Sequence, residues 1–264
     1  MEESDEYAAG AGPFDTAFIT ELGAPLTGLY LYLHGSLAMG CYREDRSDID
    51  LLAVIEEKLD PEVWTRLARG LLELYRLMPG HRGMEVSVIL RQYAGEPLHP
   101  TPFEFHYSEA HRERYESDAQ YVCGGYEDPD LAAHMMVIYH RGITLYGEPA
   151  QSVFRPEKEM YIRSIWSDVE HAVEQIAEAP VYYTLNLCRI LRFLREGEVS
   201  SKKEGGEWGL SSLPPAYEPL LRQCLLQYGG QTDEVSVEPR MLQAFARDTL
   251  NEIKQRMTEE GIHP

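Results

Sequence analysis

The chain has 264 residues, of which 44% are hydrophobic and 10% aromatic, enough for one large globular domain or two small ones. It carries 44 acidic against 24 basic residues, a formal net charge of −20. Because nucleic-acid binding draws most of its affinity from Lys and Arg, this charge argues against a nucleic-acid partner. It would instead attract a small cationic molecule, although it would equally serve solubility alone.

Neither a membrane span nor a signal peptide is expected, because no apolar stretch is long enough to cross a bilayer and residues 1–12 are acidic. The four cysteines (Cys41, Cys123, Cys188 and Cys224) include no C-x-x-C pair. This spacing is typical of reduced thiols and not of a disulfide framework or a zinc site. We therefore expect a cytoplasmic protein without a membrane partner.

The chain begins with a predicted helix and a predicted buried strand. Residues 14–22 have apolar residues at helical spacing, and Gly23 can end that helix. The apolar run over residues 29–33 is short and bounded, which indicates a buried strand. Gly35 then allows a sharp turn and a close approach to a ligand. Ser36 follows with a hydroxyl group and free amides that suit a phosphate.

A second strand is predicted over residues 51–55, directly after the triplet Asp48, Ile49 and Asp50. Because side chains alternate along a strand, the two aspartates point to one face while Ile49 points into the core. Two carboxylates on one face repel each other unless a cation lies between them, and Mg²⁺ is the natural candidate. The alternative is an acidic pair on the surface beside a turn.

A helix and a third strand follow. Asp60 and Pro61 are a typical helix start, and the apolar pattern continues to about Met78. Residues 84–90 alternate as a strand, on which Glu85 faces away from the apolar side chains. An isolated acid on an apolar strand indicates a function, although a solvent-facing Glu is the alternative.

The rest of the first half is predicted as a strand over residues 103–107, a helix from Asp128 to near Gly142 and a closing strand over 143–147. Residues 149–156 are predicted to form a linker between two domains. From there the pattern is helical throughout, with helices predicted over residues 161–177, 181–195, 215–228 and 237–257. The sequence thus predicts an α+β fold, in which a domain with a mixed sheet (residues 1–150) precedes an all-α bundle (residues 151–264).

The motif around the second strand resembles a known signature. Gly35-Ser36, a spacer and an Asp-x-Asp motif between apolar runs are similar to the nucleotidyltransferases of the DNA polymerase β type. The C-terminal half indicates which branch of this superfamily the chain resembles. Its residues follow in the order Arg189, Lys202 before Glu207-Trp208-Gly209, and Tyr228 before Gly229. This order resembles the bacterial aminoglycoside adenylyltransferases that modify streptomycin and spectinomycin. The resemblance extends over about residues 18–253.

The resemblance implies a Mg²⁺-dependent transfer of AMP from ATP to a hydroxyl group of a small cationic acceptor, with release of pyrophosphate. It implies a role for each matching residue: Asp48, Asp50 and Glu85 would bind Mg²⁺ (two ions), Glu85 would also be the catalytic base, Gly35, Ser36 and Ser47 would hold the triphosphate, and Arg189, Lys202 and Tyr228 would contact ATP. The helical domain would close over nucleotide and acceptor, and a monomer is the default expectation. Candidate acceptor contacts are Glu104, Glu109, Glu178 and Tyr182.

The sequence departs from the family pattern near the acceptor. Where the family has a Trp that helps to hold the aminoglycoside, this chain has Ala110. Of the acidic cluster that precedes the Arg-bearing helix, only Glu178 remains nearby. Two alternatives therefore stay open. One is a nucleotidyltransferase acting on a different small molecule or on a protein, and the other is a catalytically silent nucleotide-binding module.

Overall fold

The computed structural model describes residues 28–77 and 83–263. The helix predicted over residues 14–22 lies outside these residues, as does the predicted helix end at Met78. The described chain divides by its packing into two compact units, each with its own core.

We call these the sheet unit and the helical unit. The sheet unit comprises the described residues up to Asp128 together with Val137–Pro156. The helical unit comprises Pro129–Met136 together with the residues from Glu157 onward. The domain boundary after residue 150 stays a prediction.

The sheet unit is built on a mixed sheet. Its strands, in chain order, are β1 (Leu29–His34), β2 (Ile49–Ile55), β3 (Met84–Leu90), β4 (Thr101–Phe103), β5 (Phe105–Tyr107), β6 (Tyr126–Asp128) and β7 (Ile143–Tyr146). Five of them form one sheet in the order β5-β3-β2-β1-β7. Strands β2 and β3 are parallel, and the other neighbours in this sheet are antiparallel. The predicted mixed sheet is therefore confirmed.

Helices and turns connect these strands. They are α1 (Gly35–Ala38), α2 (Pro61–Leu77), α3 (Arg91–Gly95), α4 (Glu109–Ser117), α5 (Leu131–Arg141), within which the division between the units falls, and α6 (Ala150–Val153). The segment predicted as a linker is partly helical, and Phe154 directly after α6 is wholly buried against Tyr32, with ring centroids 5.0 Å apart.

One face of the large sheet packs against helix α2, and the other carries the paired acids. On one face α2 packs against the strands, and Trp64 stacks on Phe105 with ring centroids 5.7 Å apart. Val88, the partner of Phe105 on β3, shares that face. Because side chains alternate along a strand, Glu85 and its neighbour Asp50 lie on the opposite face. Leu52 and Ile89 share the face of the acids and are fully buried, so the acidic pair lies at the end of a face that is otherwise apolar.

The single strand predicted over residues 103–107 is wrong. The strand is interrupted at Glu104, whose backbone amide donates to the Val88 carbonyl oxygen at 2.8 Å. On one side of the break β5 pairs with β3, whereas on the other side β4 pairs with β6 in a separate two-stranded sheet. The apolar alternation continues across the break because each half buries its aromatic side chains in its own surroundings.

The helical unit confirms the predicted change of pattern. Its helices from residue 157 onward are α7 (Lys158–Ser167), α8 (Ala172–Gln175), α9 (Pro180–Glu196), α10 (Lys202–Ser212), α11 (Glu218–Tyr228) and α12 (Pro239–Glu259). Helix α9 lies at the centre and packs against α10, α11 and α12. The helix predicted over residues 161–177 is interrupted after Ser167, and α10 was not predicted.

Within the described residues, no helix is both long and apolar enough to cross a membrane. The four cysteines are free thiols, and three of them (Cys123, Cys188 and Cys224) are buried while Cys41 is partly exposed. Burial raises the pKa of Cys224 to about 11, so this thiol stays protonated at neutral pH.

Candidate active site

Two carboxylates lie side by side on adjacent strands of the sheet unit. In the parallel register of β2 and β3, Asp50 pairs with Glu85. Both residues are partly exposed, whereas the residues that follow them on each strand are buried. Paired residues on neighbouring strands project to the same face, where two like charges repel each other. The backbone pairing therefore creates an acidic site that favours a cation.

The strand on the other side of Asp50 completes this part of the site. His34, the last residue of β1, is the antiparallel partner of Asp50 and is buried. Gly35 follows with φ of +64°. A Cβ atom at Gly35 would lie 1.7 Å from Oδ2 of Asp50, so the backbone is in direct contact with the carboxylate. This position requires glycine both for its left-handed backbone and for space.

The predicted phosphate-binding serines lie on either side of the turn that joins β1 to β2. Ser36 belongs to the short helix α1, and Ser47 lies two residues before β2. The backbone amide of Arg43 donates to Oγ of Ser47 at 3.1 Å, and the amide of Ser47 donates to the carbonyl oxygen of Arg43 at 2.8 Å. Ser47 therefore closes the turn, and its contact with a phosphate stays a prediction.

Asp48 immediately precedes β2, so its position is set by the turn and not by strand pairing. Its charge acts on Tyr42, whose pKa is raised by burial and further by the carboxylates of Glu44 and Asp48. This end of the sheet is thus acidic beyond the paired carboxylates.

The donor set fits a magnesium ion in part. Within residues 28–77 and 83–263, no three His, Cys, Asp or Glu side chains are grouped so as to hold a metal ion by themselves. Mg²⁺ is commonly bound by one or two carboxylates together with substrate phosphates, and Asp50 and Glu85 supply such a pair. The role of Asp48 as a further ligand stays a prediction.

The helical unit brings together the two cations that the family resemblance assigns to ATP. Nη2 of Arg189 on α9 donates to Oδ2 of Asp168 at 3.0 Å. The hydroxyl of Tyr182 donates to Oδ1 of the same carboxylate at 2.9 Å. Nζ of Lys202 lies 5.2 Å from the centroid of the Tyr182 ring. Four side chains, which we call the Asp168 cluster, are thus connected: Asp168, Tyr182, Arg189 and Lys202.

The sequence did not indicate Asp168. It lies directly after α7, at the interruption of a segment whose apolar spacing predicted one continuous helix. The one available signal was the pair Ser167 and Asp168, two weak helix formers in the middle of that segment. Burial and the Asp168 carboxylate raise the pKa of Tyr182, so its hydroxyl remains a hydrogen-bond donor at neutral pH.

Local structure fixes the start of α10 and with it Lys202. Ser201 caps the helix by accepting from the amide of Glu204 at 3.2 Å, while Oε2 of Glu204 accepts from the amide of Ser201 at 2.8 Å. Gly205 then lies against α9, and a Cβ atom there would be 2.8 Å from the backbone nitrogen of Arg189. The absence of a side chain at Gly205 therefore allows α10 to approach the segment that carries Arg189.

The remaining predicted contacts are dispersed. Tyr228 is the last residue of α11, and its role towards ATP stays a prediction. Glu104 forms an ion pair with Lys58 at 3.0 Å, and Glu109 forms one with Arg112 at 2.7 Å. Each of these two acids is thus already paired with a basic side chain.

Two further acceptor positions can be placed within their own units. Glu178 is exposed between α8 and α9 in the helical unit, where Tyr182 is part of the Asp168 cluster. Ala110 is exposed in the first turn of α4, in the sheet unit. The assignment of acceptor contacts stays a prediction.

Comparisons with known proteins agree with this arrangement. The family model of the aminoglycoside adenylyltransferase C-terminal domain matches residues 152–252. A spectinomycin 9-adenylyltransferase from Staphylococcus aureus is 28% identical over 216 residues, which cover 80% of this chain and 81% of that protein. An aminoglycoside (3'') (9) adenylyltransferase from Klebsiella pneumoniae is 24% identical over 241 residues, which cover 86% of this chain and 88% of that protein.

A solved structure shares the fold. The crystal structure of spectinomycin adenyltransferase AAD(9) from Enterococcus faecialis, which contains ATP and spectinomycin, superimposes with a TM-score of 0.72. The match covers 90% of this chain and 96% of that chain at 20% sequence identity. The predicted α+β fold is therefore confirmed.

Proposed function

We infer that this nucleotidyltransferase belongs to the aminoglycoside adenylyltransferase family, and we propose that it transfers AMP from ATP to a hydroxyl group of a streptomycin- or spectinomycin-like antibiotic. The reaction would release pyrophosphate and depend on Mg²⁺. The observation that supports it best is the pairing of Asp50 with Glu85, directly beside the close contact between Asp50 and Gly35.

The chemistry would follow from what these side chains can do. Glu85 would accept the proton of the acceptor hydroxyl, and the hydroxyl oxygen would then form a bond to the α-phosphorus. The bond from the α-phosphorus to the pyrophosphate oxygen would break, and that oxygen would carry away the negative charge. Bound Mg²⁺ would supply the positive charge that offsets the repulsion between the carboxylates and the triphosphate.

The other residues would bind and orient. Asp50, and Asp48 beside it, would hold the cation in place, while Gly35, Ser36 and Ser47 would bind phosphate oxygens. In the helical unit, Arg189 and Lys202 would neutralise phosphate charge, and Tyr228 would contact the nucleotide. We also propose that the protein acts as a monomer in the cytoplasm, where ATP is available, with no nucleic-acid partner. Its net charge of −20 would attract a cationic acceptor.

A different acceptor is the second candidate. The exposed position Ala110 offers no aromatic wall where the resemblance implies a Trp. Glu109, next to it, is already paired with Arg112. These two observations favour a pocket rebuilt from other residues or an acceptor of another shape, and they leave the nucleotide chemistry unchanged.

The test is a panel of aminoglycosides, including streptomycin and spectinomycin, incubated with the protein and Mg-ATP. We expect mass spectrometry to show one panel member heavier by one AMP group, with pyrophosphate released in equal amount. A reaction without acceptor and a Glu85→Gln variant serve as controls. No AMP product from any panel member, from protein that binds Mg-ATP, would contradict the antibiotic acceptor and favour another hydroxyl compound or a protein.

A further inference from the structure

Asp168 connects the interruption after α7 to the central helix α9. Its two carboxylate oxygens have separate donors, since Oδ1 accepts from the Tyr182 hydroxyl at 2.9 Å and Oδ2 accepts from Nη2 of Arg189 at 3.0 Å. A carboxylate held at both oxygens cannot rotate without losing one of these bonds. The orientation of Arg189 is therefore coupled to a residue outside its own helix.

Burial strengthens this contact. The side chains of Asp168 and Arg189 are each only 21% exposed, so water screens their attraction less than at an open surface. Among the described residues, Nε of Arg189 is buried without a hydrogen-bond partner. A guanidinium group has five N–H donors in a fixed plane, and Asp168 accepts from one of its nitrogens. When this hydrogen bond fixes the plane of the guanidinium group, the directions of its other N–H donors are fixed as well.

The same carboxylate also reaches Lys202 indirectly. Tyr182 is held by its hydroxyl bond to Asp168, and its ring lies 5.2 Å from Nζ of Lys202. A cation over an aromatic face is attracted by the ring, so the position of the ring influences the position of the ammonium group. One acid is thereby linked to both cations, Arg189 directly and Lys202 through Tyr182.

We propose that Asp168 is a positioning residue for nucleotide binding: it holds Arg189, and through Tyr182 also Lys202, in the orientation that meets the phosphates of ATP. This inference rests on the proposed function for the roles of Arg189 and Lys202. Asp168 itself touches neither nucleotide nor acceptor in this account and acts through its two neighbours.

A second Arg–carboxylate pair on the same helix provides a matched comparison. Arg195 on α9 donates from Nε and Nη2 to the two oxygens of Glu252 at 2.8 and 2.7 Å. Their side chains are 25% and 30% exposed, close to the values for Asp168 and Arg189. This pair connects α9 to α12 and includes no residue assigned to ATP. Loss of either pair should cost stability, but only loss of the Asp168 pair should cost nucleotide affinity.

The experiment compares Asp168→Asn with Glu252→Gln in the full chain. Mg-ATP binding is measured by calorimetry, and thermal unfolding is recorded for each variant. Asp168→Asn should raise the Kd for Mg-ATP by about tenfold, since a charge-assisted hydrogen bond no longer orients the guanidinium. Glu252→Gln should leave this Kd within about twofold of the wild type while lowering the Tm at least as much. Equal Kd values for the two variants, or tighter binding by Asp168→Asn, would overturn the proposal.

A double-mutant cycle separates positioning from a general loss of structure. In an Arg189→Ala background, Asp168→Asn should change the Kd by no more than about threefold, because only the path through Tyr182 to Lys202 remains. The same tenfold loss in both backgrounds would show that Asp168 acts elsewhere and would refute its role. If Asp168→Asn does not fold, Tyr182→Phe removes only the hydroxyl bond, and we expect about a threefold rise in Kd. An unchanged Kd for that variant would then overturn the proposal.

The binding measurement also distinguishes this inference from the proposed function. If the wild type binds Mg-ATP but modifies no acceptor, the proposed antibiotic acceptor fails while the Kd comparison still decides the role of Asp168. If turnover is found and the two variants bind Mg-ATP alike, the positioning role alone fails. If the wild type does not bind Mg-ATP, both are wrong.

Discussion

The two units hold their charged groups in different ways. In the sheet unit, Asp50 and Glu85 are aligned by the backbone pairing of β2 with β3. In the helical unit, Arg189 is oriented by a contact between side chains, with Asp168. A strand ladder keeps its register when one side chain is changed, whereas an oriented side chain is lost with its partner. We therefore expect a substitution at the paired acids of the sheet unit to remove a functional group without moving its neighbours. A substitution of Asp168 in the helical unit should instead change the orientation of Arg189.

The largest effect should come from Glu85→Gln, which keeps the size of the side chain and the strand register but removes the proposed base. The turnover rate should fall by about 10²- to 10⁴-fold, the usual contribution of a general base. The measurement is kcat for AMP transfer, with the Tm recorded beside it.

Glu56→Gln is the matched control, because Glu56 directly follows β2 and pairs with Arg91 at 2.9 Å, at the other end of that strand from Asp50. It should retain the wild-type rate. A Glu85→Gln variant that kept more than about a tenth of the wild-type rate would contradict the proposed role of Glu85 as the base.

A smaller effect is expected from Gly35→Ala. The new Cβ atom would meet Oδ2 of Asp50 at 1.7 Å, so the carboxylate must move. A displacement of this kind near the reacting groups can cost about a hundredfold in rate. The measurement is kcat, together with the free energy of unfolding.

Gly40→Ala controls for the backbone cost. Gly40 has φ of +69°, close to the +64° of Gly35, but a Cβ atom there would meet nothing within 4 Å. Both variants should lose about 1 kcal/mol of stability from the left-handed backbone. Only Gly35→Ala should lose most of its activity, and equal rates for the two variants would refute the contact with Asp50 as the cause.

The smallest effect concerns pH and stability in the helical unit. Hydrogen bonds from Arg195 and then from Arg256 lower the pKa of Glu252, against the effect of burial. Because the folded state binds this proton less readily than the unfolded state, the pair stabilises the fold above the ordinary Glu pKa of about 4.3. That contribution is lost as the pH falls through the lowered pKa.

We therefore expect Glu252→Gln to be less stable than the wild type by up to about 1 kcal/mol at pH 7. The difference should shrink in acid, once the wild-type carboxyl group is protonated as well. Chemical denaturation at pH 7 and below pH 4 measures it. A difference that stays constant with pH would mean that Glu252 stabilises the unit by packing and not by its charge.

The central strands of the sheet unit could be predicted from the sequence because their apolar runs are short, bounded and punctuated by Gly35 and Pro61. The sequence placed Glu85 on the next strand, whereas its pairing with Asp50 is a finding of the structure. The split at Glu104 could not be predicted, because the apolar alternation continues across residues 103–107 while the hydrogen-bond partners change from one sheet to another.

Two of the longer helices were missed for different physical reasons. Helix α4 is highly charged and buries only Tyr115, so it shows no apolar period. Helix α10 contains three glycines, which disfavour a helix in isolation. Its stability comes from the capping box of Ser201 and Glu204 and from close packing on α9, where Gly206 faces Leu185. The capping box is a local signal, but the contact of Gly206 with α9 depends on tertiary structure and cannot be predicted from one segment.

The candidate site residues also differ in how far the sequence alone could identify them. The acids of the sheet unit have a local motif, while Arg189 and Lys202 could be assigned only through a family resemblance. Asp168 had neither a motif nor a match, since its role depends on a hydrogen bond to a residue 21 positions away. Groups that are placed by the backbone can be recognised in a sequence, whereas groups that are placed by other side chains require the structure.

The most direct test of the central claim follows the two ends of the triphosphate separately. The protein is incubated with an acceptor and with ATP labelled either at the α- or at the γ-phosphate. We predict that the α-label appears on the acceptor and the γ-label in pyrophosphate, because the proposed reaction transfers AMP and breaks the bond between the α-phosphorus and pyrophosphate. A γ-label on the acceptor would mean phosphoryl transfer and would contradict the account.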